Sequence, residues 1–89
     1  MPSETVEIVN QRGLHARASA KFVNAVAKLD GVAVQVSKDG TAANGSSILG
    51  LMMLGAAKGD AIEIHVDGHS ADQVLTKLVG LVKDGFGED

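Results

Sequence analysis

Val32-Ala33-Val34-Gln35-Val36 leads through Ser37 into Lys38-Asp39-Gly40-Thr41. The apolar residues of the first run recur at alternate positions, the period of a half-buried strand. Asp-Gly is a strong hairpin signal, because both central residues of a tight two-residue turn need positive φ. The stretch predicts a strand over 32–36, a turn at Asp39-Gly40 and a short edge strand over 41–44. A hairpin of this kind commits the chain to an antiparallel sheet.

Toward the N-terminus, Thr5-Val6-Glu7-Ile8-Val9 alternates in the same way, with Val6 and Ile8 facing inward. Asn10-Gln11-Arg12-Gly13 is a polar loop. A helix is predicted over 16–29, with Ala18, Phe22, Ala25, Val26 and Leu29 as its apolar stripe and Gly31 as a left-handed C-cap. Beyond the hairpin, Asn44-Gly45-Ser46-Ser47 opens a second, short helix over 48–54, with Ile48 and Leu51 facing inward. Lys58-Gly59-Asp60 turns the chain into a strand over 61–66, in which Ile62, Ile64 and Val66 point inward and which Asp67-Gly68 ends. The last helix covers 71–83, with Ser70 as N-cap and a stripe of Ala71, Val74, Leu75, Leu78, Leu81 and Val82. Gly85 and Gly87 close it, and the tail Gly87-Glu88-Asp89 is expected to fray.

The order βαββαβα on 89 residues predicts one α+β domain over 1–89. A four-stranded antiparallel sheet would carry three helices on one face, as an open-faced sandwich. Its other face, with Glu7, Gln35, Glu63 and His65, would meet solvent. Phe22 and Phe86 are the only aromatic residues, so the core must be aliphatic. With no cysteine, disulfides, thiolate chemistry and Cys-based zinc sites are excluded, which fits a reducing cytoplasm. No secretory signal precedes the first strand, and the apolar stretch 48–57 is too short to span a bilayer. A net charge of −3 and the absence of stacking aromatics argue against nucleic acid as a partner.

The stretch that points to chemistry is Gly13-Leu14-His15-Ala16-Arg17-Ala18-Ser19-Ala20-Lys21. It sets an imidazole at a helix N-terminus with a guanidinium two residues on. Free N–H groups and the positive end of the helix dipole favour an anion there. The same field disfavours a protonated imidazole and so favours the neutral, nucleophilic ring. A neutral imidazole, anion-binding amides and an arginine are what a phosphoryl acceptor needs.

Gly13-Leu14-His15-Ala16-Arg17, Ser47-Ile48-Leu49-Gly50-Leu51-Met52-Met53-Leu54 and Ala56-Ala57-Lys58-Gly59, in this element order, resemble the HPr family. These are the histidine phosphocarriers of the bacterial phosphotransferase system. The resemblance covers nearly the whole chain and implies the HPr-like open-faced sandwich. It implies that His15 accepts a phosphoryl group on Nδ1 from phospho-enzyme I, itself charged by phosphoenolpyruvate. The group would then pass to a histidine of an enzyme IIA protein. Arg17 would pair with the phosphate, and the amides of Ala16 and Arg17 would complete the cradle. No metal, cofactor or general base is required on the carrier, which is a substrate of its partners more than an enzyme. Many family members have proline where this chain has Ala18, which leaves the helix start less rigidly set.

Ser47 is a natural N-cap for the short helix, and the resemblance also makes it the residue phosphorylated by HPr kinase/phosphorylase. Ser46 stands beside it as an alternative. Leu49, Met52 and Met53, with Ala16, Arg17 and Ala20, are expected to form the partner-docking patch. Met52 and Met53 could equally fill gaps in the core. His65 and His69 do not have metal-ligand spacing. A monomer is expected. Val6-Glu7-Ile8, Leu51-Met52-Met53-Leu54 and the ending Gly85-Phe86-Gly87-Glu88-Asp89 look more like the nitrogen-related branch of the family than the sugar-transport branch. The rival is a regulatory binding module in which the His15 loop is a reversible anion site.

Overall fold

A computed structural model of the protein describes residues 2–88. Its elements are β1 (Ser3–Glu7), α1 (Ala16–Ala27), β2 (Val32–Lys38), β3 (Thr41–Asn44), α2 (Ile48–Met53), β4 (Ala61–Gly68) and α3 (Ala71–Lys83), followed by a 3-10 turn at Gly85–Gly87. The strands lie in the order β1-β4-β2-β3, and every neighbouring pair is antiparallel. The hairpin pairs Lys38 with Thr41 across Asp39 and Gly40, whose φ values of 51° and 82° supply the twist such a turn needs.

The alternation read from the sequence determines the layering. Val6, Val34, Val36, Ile62, Ile64 and Val66 are buried on one face of the sheet, where they meet Ala18, Phe22 and Val26 of α1 and Val74, Leu75, Leu78 and Val82 of α3. The three helices share that face. On the other face Glu7 and Gln35 are exposed, and His65 and Glu63 are half-buried. There His65 Nε2 lies 3.0 Å from Glu63 and 3.4 Å from Ser37 Oγ. One nitrogen makes both contacts, so this serine–histidine–glutamate set cannot relay a proton. A depression of about 340 Å³ on this face is lined by Ala33, Gln35, Ala42, Asn44, His65 and Asp67, none of which belongs to the His15 loop.

Several expectations are corrected. β1 ends at Glu7, although Ile8 stays fully buried and exchanges hydrogen bonds with Asp60 and Gly59. α1 stops at Ala27 with Lys28 as its C-cap, so Gly31, at φ 74°, serves the turn into β2 instead of capping the helix. Ile48 is 41% exposed and does not face inward. It is the first residue of α2, and the core contact is made one turn further along by Leu51 and Leu54. Ser70 holds the N-cap position of α3 in a left-handed conformation (φ 59°), and its side chain makes no cap hydrogen bond. Val79 joins the buried stripe of α3. The tail does not fray as far as Glu88. Phe86 is 1% exposed, and the Lys21 ammonium donates to its carbonyl at 2.7 Å. Asp89 lies outside the described residues.

Gly13 is the backbone position on which the loop before α1 depends. Its φ is +63°, and a Cβ there would lie 2.2 Å from the Ala56 carbonyl oxygen. Gly40 also has positive φ, +82°, but open space around it. Gly40→Ala therefore isolates backbone strain, of about 1 kcal/mol. Gly13→Ala adds a backbone clash, and we expect a loss of about 3 kcal/mol. In thermal unfolding the Gly13→Ala variant should melt about 10 °C below Gly40→Ala.

Candidate functional site

The loop 10–14 is built around a buried amide. Asn10 is 1% exposed, and its Nδ2 donates to the Gly13 carbonyl at 2.8 Å and to Glu88 Oε1 at 3.0 Å. Both partners are acceptors, so the nitrogen must be the atom between them. Its Oδ1 is buried without a partner among the described residues. Leu14 donates its N–H to the Ala56 carbonyl at 3.0 Å, which ties the loop to the segment after α2. Ser19, buried in the first turns of α1, donates its hydroxyl to the Leu14 carbonyl at 3.2 Å.

These contacts deliver His15 to the N-cap of α1, in extended conformation (φ −76°, ψ −178°). Its Nδ1 accepts from the Arg17 backbone N–H at 3.3 Å. Its Nε2 lies 2.8 Å from Glu88 Oε2 and 3.1 Å from Oε1. An ionised carboxylate can only accept, so Nε2 carries the proton and Nδ1 the free lone pair. The ring is 18% exposed and the Glu88 side chain 13%. A neutral ring with its lone pair beside a helix N-terminus is a nucleophile aimed at a position where an anion is favoured.

Ala16 and Arg17 are exposed at the start of α1, and Ala20 is half-buried one turn on. The Arg17 guanidinium makes no ion pair among the described residues. α2 packs beside α1 and exposes Leu49 (68%), Met53 (76%) and Met52 (40%). The methionines therefore do not fill the core. Ser47 caps α2 through its Oγ, which accepts from the Gly50 N–H at 2.9 Å. Ser46 is exposed, and its N–H donates to Asn44 Oδ1 at 2.8 Å. Among the described residues no helix is long and apolar enough to cross a membrane, and no three metal-ligating side chains cluster.

Glu88, Asn10 and Lys21 belong to the contact network around His15, and the sequence alone did not single them out. The signal available was Phe86, one of two aromatics, flanked by Gly85 and Gly87. Phe86 is buried, and its burial brings the following carboxylate home.

The Glu88 carboxyl is held below its usual range. The hydrogen bond from His15 is the main cause, partial desolvation opposes it, and the Asn10 hydrogen bond and the nearby Lys21 ammonium assist. A depressed carboxyl contributes stability above its unfolded pKa and loses it as the pH falls through the folded value. The contact between tail and loop should therefore persist at neutral pH and release in acid. In a carbon-detected NMR titration, Glu88 Cδ should titrate below an ordinary glutamate. In His15→Ala its midpoint should move back up.

Comparison with known proteins agrees with this geometry. The family model described as "PTS HPr component phosphorylation site" matches residues 2–84. The phosphocarrier protein HPr of Neisseria meningitidis is 43% identical over 88 residues, covering 99% of this chain and 98% of that one. The phosphocarrier protein NPr of Escherichia coli is 35% identical over 86 residues, covering 97% and 96%. A crystal structure of HPr from Thermoanaerobacter tengcongensis superposes with a TM-score of 0.93 at 36% identity, covering 100% of this chain and 99% of that one. Fold, loop and sequence agree, and the chain belongs to the HPr family of phosphocarriers of the phosphotransferase system.

Proposed function

We propose that this chain carries a phosphoryl group on His15 Nδ1, received from phospho-enzyme I and delivered to a histidine of an enzyme IIA protein in the cytoplasm. The observation that carries the proposal is the lone pair of Nδ1 facing the Arg17 N–H at the start of α1 while Nε2 is engaged by Glu88. On charging, Nδ1 forms the P–N bond as the donor's P–N bond breaks, and that electron pair returns to the donor nitrogen. The Arg17 N–H, which now reads the lone pair, is released to a phosphoryl oxygen. The Ala16 amide and the Arg17 guanidinium supply the remaining donors. No metal or cofactor takes part.

Leu49, Met52 and Met53, with Ala16, Arg17 and Ala20, form the docking patch. Flexible apolar side chains suit successive partners and modest affinity. The carrier works as a monomer through this patch. Ser47 is the regulatory site, addressed by an HPr kinase/phosphorylase. A phosphate on its Oγ would sit at the start of α2, where negative charge is tolerated, and would set that charge beside Leu49. The sequence features of β1, α2 and the tail favour the nitrogen-related branch, against the greater identity to an HPr-named relative than to an NPr-named one.

The test is incubation with phosphoenolpyruvate and an enzyme I from each branch, read by intact mass and phosphorus NMR. One acid-labile, base-stable phosphohistidine is expected, with the nitrogen-related enzyme I alone. His15→Ala should give none while its circular dichroism is unchanged. Arg17→Ala should slow charging by about 10- to 100-fold, the value of a charge-assisted hydrogen bond. A reversible anion site would give no adduct with either enzyme I.

A further inference from the structure

We propose that Glu88 is a positioning residue for phosphoryl transfer, holding His15 as the Nε2–H tautomer and balancing the charge the ring gains when Nδ1 is phosphorylated. The inference rests on His15 being the phosphoryl acceptor, and it extends the site to the C-terminal tail.

The two ring nitrogens are held by partners of opposite kind. Nε2 faces both oxygens of Glu88, at 2.8 and 3.1 Å, and Nδ1 faces the Arg17 N–H at 3.3 Å. The second contact is long and the first is short, so the carboxylate is the stronger determinant of where the proton sits. With the proton on Nδ1 the carboxylate would face a lone pair, and the reactive atom would have none to offer.

The carboxylate is itself built in. Asn10, buried in the His15 loop, holds Oε1 at 3.0 Å with the same nitrogen that braces Gly13. Phe86 anchors the tail in the core, at a positive φ of 59° that a non-glycine residue adopts only when its surroundings impose it. Lys21, from the same helix that His15 caps, binds the Phe86 carbonyl at 2.7 Å. Helix and tail thus contact the ring itself, through the Arg17 N–H and Glu88, and the loop braces Glu88 through Asn10. A solvent-exposed, unsupported terminal glutamate would not show this arrangement.

The charge balance gives the contact a chemical role. A neutral ring that attacks phosphorus with Nδ1 and keeps its Nε2 proton becomes an imidazolium. The phosphoryl oxygens lie on one side of it and Glu88 on the other. The carboxylate offsets the new positive charge without needing to take the proton. On delivery the P–N electron pair returns to Nδ1, and the ring leaves as the neutral Nε2–H tautomer, ready for another cycle. A carboxylate that orients an imidazole through its far nitrogen is a recurrent device where the near nitrogen must present a lone pair.

The full chain is compared with Glu88→Ala and Glu88→Gln. Long-range proton–nitrogen NMR of the His15 ring reports the tautomer directly and needs no phosphoryl donor. The wild-type ring should show a single neutral tautomer with the proton on Nε2. Glu88→Ala should show a mixture with protonated Nδ1 and charge from phosphoenolpyruvate and enzyme I about 10-fold or more slowly. In Glu88→Gln the amide oxygen still accepts from Nε2, so the tautomer should be retained while charging falls between the two. A melting curve for each variant controls for the fold. If Glu88→Ala keeps either the wild-type tautomer or the wild-type charging rate, Glu88 is not a positioning residue. A wild-type chain that no enzyme I charges overturns the carrier role instead, and the ring spectrum separates that failure from this one.

Discussion

The close approach of Gly13 to the Ala56 carbonyl is the constraint from which the site follows. No side chain fits at Gly13, so the backbone of the loop lies directly against the segment that follows α2. The Leu14 N–H to Ala56 carbonyl bond then fixes the distance between them. That single contact sets where α1 begins, and hence where His15 caps it. It also ties the His15 loop to the segment after α2, so the ring and the exposed apolar patch share one support. In a protein whose whole stability is of order 5–15 kcal/mol, a site needs few such fixtures but cannot lose one.

The aliphatic core explains why the tail matters. Branched residues on alternate strand positions make a flat apolar floor, and α1 and α3 lie on it. With only two aromatic side chains, Phe22 and Phe86 are the largest buried bodies in the domain. Phe22 lies midway along α1 and joins the helix to the floor. Phe86 lies past the end of α3, so filling its place in the core brings Glu88 to the start of α1. Burial of one ring, driven by apolar area alone, thus delivers a carboxylate to a histidine distant in sequence.

Wherever one local rule governs, the sequence was readable. Period-two alternation identified three of the strands and their inward faces, though not all their ends, and Asp39-Gly40 identified the hairpin. Helical spacing gave both long helices, and α3 has the predicted bounds, Ala71–Lys83. His15, Arg17, Ser47 and the apolar side of α2 were visible as motifs. What could not be read depends on competition between distant elements. Ile48 obeys the helical spacing of Leu51, yet the core ends before it, and spacing alone cannot say where a core ends. Ser70 has the residue type of a cap, but the turn from β4 imposes a left-handed backbone that turns its oxygen away. Glu88 falls in the tail 87–89, for which the sequence predicts fraying. The glycines flanking Phe86 instead permit the tight turn that seats it.

The resting site is arranged so that little must move when its charge state changes. The Arg17 N–H already points at His15 Nδ1, the atom proposed to carry the phosphoryl group. Nε2 already has its counter-ion. Ser19 and Asn10 hold the loop from its buried side, away from the exposed edge of the ring. A carrier must be charged and discharged by different partners, so it cannot rely on either of them to organise its acceptor. Preorganisation within the free domain meets that requirement. It leaves the exposed residues of α2 free to make contacts that are weak and short-lived. Asn10 is oriented by this arrangement: its amide nitrogen braces Gly13 and Glu88 together, while its Oδ1 has no partner among the described residues.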